Sequence, residues 1–205
     1  MTQGHDYVEI GGVKWATMNV GANTVYDTGL YFQWGDTKGY TREQFGTKRG
    51  QKHFDWYDYK WIEDEKLVPT KYNEDDEKTV IDPEDDAVHA AWGGDWCMPT
   101  MFHFWKLEDA SNIRKVKDYE RSGVNGLLFT DKENSSKKLF FPASGLAIMD
   151  IVLDENVSTY LWGNTLCPDM YPHYAEYVYF KSERIYWPSS TNRYLGMPCR
   201  GVLFD

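Results

Sequence analysis

The run AEYVYF, residues 175–180, decides how this chain is read. Successive side chains of a strand point to opposite sides. Glu176, Val178 and Phe180 therefore share one face, and Tyr177 and Tyr179 share the other. A carboxylate on the same face as two apolar side chains places the strand near a rim. On either side, MYPHYA (170–175) and IYWPSSTNRYLG (185–196) each contain a proline, which interrupts sustained pairing. Tyr171, His173, Tyr174, Tyr186, Trp187 and Tyr194 are accordingly expected on loops or loop edges.

The composition around this strand is unusual. Ten of the 35 residues from Tyr160 to Tyr194 are aromatic, against 17% for the whole chain; six of the 35 are charged, against 26%. Rings enriched, charges depleted, with Ser, Asn and Gly between them, is the composition of a binding surface: Tyr and Trp give large contact area at low rotamer cost. The same rings could instead fill a core, and for Trp162, Val178, Phe180, Val202 and Phe204 that reading is adopted. The others are expected to meet a ligand.

Working outward, YVEIGGVKWATMNVG (7–21) alternates as strand, turn and strand, with Gly11-Gly12 at the turn. TGLYFQWGDT (28–37) reads as a further short strand, as do NGLLFT, KKLFFPASG and CRGVLF. Residues 38–83 are polar and charge-dense without either period, and are expected to form a long irregular surface insertion. Their acidic clusters, Asp75-Asp76-Glu77 and Glu84-Asp85-Asp86, lack the ligand spacing of a calcium loop and read as a solvated acidic face. One helix is expected from about Met101, capped by Thr100, with Phe104 and Leu107 toward the core. Met101, Phe102 and Trp105 widen its apolar stripe, and are expected either to lie under the insertion or to form a self-association patch.

The chain of 205 residues suits one domain, 1–205. Its net charge of −10 disfavours nucleic acid. No run approaches the roughly 18 apolar residues of a membrane span, and no signal peptide is visible. Cys97, Cys167 and Cys199 form no CxxC pair and read as free thiols, with a Cys167–Cys199 bridge left open. No nucleophile, phosphate-loop or metal-spaced set stands out among the side chains, so no enzyme, cofactor or metal is expected.

Several phrases in order, YVEIGGVKWATMNVGA, GLYFQWGDT, KTVIDPEDDAVHAAWGGDWCMPT, GLLFT, LFFPASG and YVYFKSERIYWPSSTNRYLGMPCRGVLF, resemble the Fibrobacter succinogenes major paralogous domain of gut Bacteroidetes and their phages. The chain departs from that family at YLWGN (160–164), at its ending CRGVLF and at Met101-Phe102-His103. The resemblance implies an α+β, C-type-lectin-like fold akin to formylglycine-generating enzymes, with short strands, one or two helices and long irregular insertions. It further implies a variable protein of a diversity-generating retroelement, with a diversified ligand-binding segment at about 160–194. The site residues so implied are Leu161, Gly163, Asn164, Tyr171, His173, Tyr174, Glu176, Tyr186, Trp187, Ser189, Ser190 and Tyr194. The partner would be a surface protein or glycan of a target cell, and the location a phage tail or a bacterial surface. The alternatives are a self-assembling structural module and a formylglycine-generating-type oxidase. The oxidase needs a close cysteine pair, which Cys167 and Cys199, 32 positions apart, do not supply.

Overall fold

The structure, a computed structural model, describes residues 4–45, 53–63, 67–180 and 185–203; at 185 and 187 it describes the backbone alone. Strands take 36% of the protein and helices 15%. That finding overturns the expected α+β, C-type-lectin-like fold: the molecule is mostly antiparallel β with two α-helices. Those helices are short, six and ten residues. The chain that follows the second one, which carries little helical period, extends into strand after strand.

Four sheets are present among the described residues, all antiparallel. β1 (Tyr7–Ile10), β2 (Val13–Asn19), β12 (Arg200–Leu203) and β3 (Trp96–Cys97) form the first, in the order β1-β2-β12-β3. β4 (Ser111–Val116), β5 (Gly126–Asp131) and β6 (Lys138–Pro142) form the second. β7 (Leu146–Ile148) and β8 (Ile151–Leu153) make a hairpin. β9 (Thr159–Leu166), β10 (Tyr174–Phe180) and β11 (Ile185–Asn192) form the fourth, in the order β11-β10-β9. The helices are α1 (Ala87–Trp92) and α2 (Met101–Ala110).

The opening hairpin turns at Gly11 and Gly12, with φ of +62° and +71°. Two positive φ values in a two-residue turn match the twist of the flanking strands. A Cβ at Gly11 would also meet the Lys106 carbonyl oxygen at 2.7 Å, so only glycine fits. α2 starts where its cap predicts: Thr100 Oγ accepts from His103 N–H at 3.3 Å, and His103 Nδ1 accepts from Thr100 N–H at 3.1 Å. Histidine here takes the place of the usual Glu in a capping box. Phe104 and Leu107 are fully buried.

The β9–β10–β11 sheet is the middle layer of the molecule. On one side Leu161, Val178 and Phe180 join Trp15, Phe104, Leu107, Phe129, Phe141 and Val202. On the other, Tyr160, Trp162 and Ala175 join Phe32, Trp34, Tyr72, Leu195 and Met197. Arg200, wholly buried, ties the layers by donating to Asn19 Oδ1 at 2.7 Å, the Ala16 carbonyl at 2.8 Å and the Phe140 carbonyl at 3.2 Å. It lies over the Phe141 ring, 4.5 Å from the centroid.

Several expectations need correcting. Residues 28–37 form no strand; Tyr31 and Phe32 make single bridges to Tyr40 and Met197. The described part of 38–83 is irregular, but it is not only surface: Phe45, Phe54, Tyr59, Tyr72 and Ile81 are buried. Asp85 and Asp86 are buried as well, so Glu84-Asp85-Asp86 is no solvated face. Asp86 caps α1 through Val88 N–H and His89 N–H and accepts from Met98 N–H at 2.8 Å. The stretch 185–192, expected as loop, is a strand. Pro188 fits because β11 is an edge strand and because residues 187 and 188 together oppose Val178 in a bulge. Phe204 lies outside the described residues.

Candidate recognition surface

The alternation in AEYVYF sets up the surface. β9 pairs Tyr160 with Tyr179 and Trp162 with Tyr177; β11 pairs Tyr186 with Tyr179 and Ser189 with Tyr177. Three tyrosines thus stand in register across three strands. Their ring centroids are 4.8 Å apart between Tyr160 and Tyr179 and 5.6 Å between Tyr179 and Tyr186. Tyr177 lies beside the row, 6.0 Å from Tyr160. Exposure rises along it: Tyr160 is buried, Tyr179 half-buried and Tyr186 48% exposed. The Tyr160 hydroxyl donates to Asp154 Oδ2 at 3.0 Å, and burial, with that carboxylate beside it, pushes the phenol well above its ordinary value. The buried end of the row is therefore a neutral ring.

A second aromatic group gathers where the insertion meets the closing segment. Trp56 lies 4.8 Å from Tyr194 and 5.4 Å from His173, ring to ring. His173 Nε2 sits 3.2 Å from the Leu67 carbonyl, and the Tyr171 hydroxyl donates to the Asn73 carbonyl. Burial pushes the Tyr171 and Tyr194 phenols upward. Beneath this group lies Arg193, with no exposed surface. Its guanidinium donates to the Tyr59 hydroxyl and to the carbonyls of Tyr72 (3.1 Å), Pro172 (3.0 Å) and Lys71 (3.0 Å). The rings of Trp34 and Tyr59 each lie 5.1 Å from it. One side chain thus fastens the insertion to the residue preceding Tyr194.

Not every expected residue reaches this surface. Leu161 is buried in the core shared with α2, and a Cβ on Gly163 would meet Met101 Cε at 2.3 Å, so neither position offers a contact. Asn164 is half-buried; its backbone bonds to Pro99 and Ile81, and it lines a cavity of about 270 Å³ with Asp86, His89 and Cys97. Glu176 pairs with Ser190 and, by the strand alternation, lies on the α2 side with Val178. Burial raises its carboxyl above the ordinary value. Tyr171, His173, Tyr174, Ser189, Ser190 and Tyr194 are half-buried, and Tyr186 is exposed. The Trp187 side chain lies outside the described residues. The sequence gives no sign of Trp56 or of the roles of Arg193 and Arg200, because these depend on partners far away along the chain.

Chemistry elsewhere is muted. The three cysteines are free; burial pushes the Cys97 thiol up to about 11 and raises Cys199 as well, so both are held protonated at neutral pH. The carboxylates of Asp82, Glu84 and Asp85 come within 4.8 Å of one another. Lys71 Nζ sits among them at 2.9, 3.5 and 2.5 Å, where a cation would otherwise be needed. No described helix is long and apolar enough to cross a membrane. No family model, curated protein or solved structure matches the chain.

Proposed function

We propose that this protein is a non-catalytic recognition protein whose closing segment binds a surface protein or glycan of a target cell. It would be displayed on a phage tail or a bacterial surface. The observation that carries this reading is the row Tyr160–Tyr179–Tyr186, which climbs from core to solvent on a sheet packed on both faces. A rigid platform of rings loses little rotamer entropy on binding. Alternate residues hold the core, so the exposed end of the row, Tyr186, can change identity without unfolding the sheet, as a diversified segment requires.

The test is binding of dye-labelled protein to a panel of intact gut Bacteroidetes cells, read by flow cytometry. Wild type is expected to stain a subset of strains, with staining lost in Tyr179→Ser and Tyr186→Ser and kept in Thr130→Ala. Equal staining by all four proteins would remove the tyrosine row from recognition.

A second reading, self-assembly, is favoured by α2. Phe102 and Trp105 are 51% and 46% exposed, with ring centroids 5.5 Å apart. Met101 instead packs inward against Gly163. Light scattering decides the matter: an assembled wild type that Trp105→Asp renders monomeric supports it, and a monomeric wild type ends it.

A further inference from the structure

The β7–β8 hairpin presents a different kind of surface. Ala147 bonds Gly196 through both of its backbone groups, N–H to carbonyl at 2.8 Å and carbonyl from N–H at 2.9 Å. Bonded and non-bonded pairs alternate along an antiparallel ladder. Ala147–Val152 is therefore a non-bonded pair, and the flanking pairs Leu146–Leu153 and Ile148–Ile151 hold the hairpin together. It follows that the N–H and C=O of Val152 point away from β7, along an edge that no strand occupies among the described residues.

The side chains complete the pattern. Val152 packs inward against the cluster of Tyr31, Phe45, Phe54 and Ala147. Ile151 and Leu153 point the other way and are 49% and 46% exposed. The strand is bounded by Asp150 and Asp154, and residues 143–160 contain no Lys, Arg or His. The hairpin is held in place: Met149 N–H donates to the Phe54 carbonyl at 3.3 Å and Asp154 accepts from Tyr160. An open edge with aliphatic side chains is a site where another strand adds.

We propose that the free edge of β8 docks an extended segment of a partner protein. Its pattern would be basic, aliphatic, any residue, aliphatic, basic. The middle residue pairs its backbone with Val152, the aliphatic residues lie beside Ile151 and Leu153, and the basic ones oppose Asp150 and Asp154. A second copy of this chain fits poorly. Two β8 strands paired antiparallel about Val152 would bring Asp150 of one close to Asp154 of the other, at both ends of the pairing, and like charges so close together oppose it.

The probe is a synthetic nine-residue peptide, Gly-Ser-Lys-Val-Thr-Val-Lys-Ser-Gly, titrated into 15N-labelled protein and followed by amide shifts. Binding below about 1 mM is expected, with shifts centred on Ile151–Leu153. Methylating the peptide's central amide nitrogen is expected to abolish binding. Replacing its lysines by glutamate, or using Ile151→Ser/Leu153→Ser protein, should weaken it by about tenfold. Tyr186→Ser should leave it unchanged, which separates this site from the tyrosine row. The proposal is overturned by no shift at that concentration, by equal binding of the N-methylated peptide, or by loss of binding in Tyr186→Ser. A wild-type dimer that Ile151→Ser/Leu153→Ser dissolves would also overturn it, because the edge would then belong to a second copy.

Discussion

The two faces of the β9–β10–β11 sheet are built from the same strands, yet one is closed along its length while the other, closed at Trp162 and Ala175, opens toward Tyr186. Toward α2, Leu161, Val178 and Phe180 have at most 1% of their surface left to solvent. One residue along in each case, Tyr160, Tyr179 and Tyr177 carry rings of similar bulk, ending in a hydroxyl that needs a polar partner or water. Tyr179 and Tyr177 stay half-exposed, and only Tyr160 is nearly covered, with Asp154 as its partner. The lesson is that ring content alone does not distinguish core from surface in this chain; the polar tip and the strand period together do.

The contrast is open to direct attack. Phe180→Ala, on the closed face, is expected to cost about 3–5 kcal/mol in urea denaturation. A value below about 1 kcal/mol would mean that the closed face is not a packed core. Next in size is Arg193→Met, which strands three carbonyls in the interior and leaves the Tyr59 hydroxyl only its bond to the Trp34 carbonyl. It should cost about 2–4 kcal/mol and speed amide hydrogen exchange at Tyr59 and Tyr72 more than in β4–β6.

Acid provides the third probe. Burial works against the charge of Asp85, but the bonds from Lys60, Lys71 and Tyr72 outweigh it and hold its carboxyl below the ordinary range. Bonds from Lys78 and Lys71 lower Asp82 too. The unfolded chain takes up protons at these positions first, so their stabilisation is complete above an ordinary pKa of about 4 and fades as pH falls below it. Asp85→Asn should flatten that acid limb in melting-temperature scans. Glu176, raised by burial, has the opposite sign. It favours the folded state less as pH rises through the ordinary carboxylate value, so Glu176→Gln should stabilise slightly at neutral pH. The smallest effect is expected on the open face. Tyr186→Ala should change stability by no more than about 0.5 kcal/mol while reducing cell staining.

Much of the frame could be read from local signals. Gly11-Gly12 marks the first hairpin, Thr100 the start of α2, and the alternation in AEYVYF the two faces of β10. Other elements could not. SNIRKV and IYWPSSTN lack strand-like periodicity, and Pro188 argues against pairing until its neighbours place it in an edge-strand bulge. Asp85, Asp86, Arg193 and Arg200 look like surface charges in sequence. Their burial depends on partners such as Lys60, Met98, Tyr59 and Asn19, and only the folded backbone brings those within reach. For the surface itself, the exposure of Tyr186 was legible. The joining of Trp56 to Tyr194 was not, since 138 positions separate them.

The strict two-residue period of β10 also limits how the closing segment can evolve. Substitution at Tyr177 or Tyr179 keeps that register, although both rings also pack against the cluster of Tyr160 and Trp162. A single inserted residue in the same strand would turn Val178 and Phe180 outward and drive tyrosine hydroxyls among the rings of Phe129 and Phe141. The register of β10 therefore fixes its length.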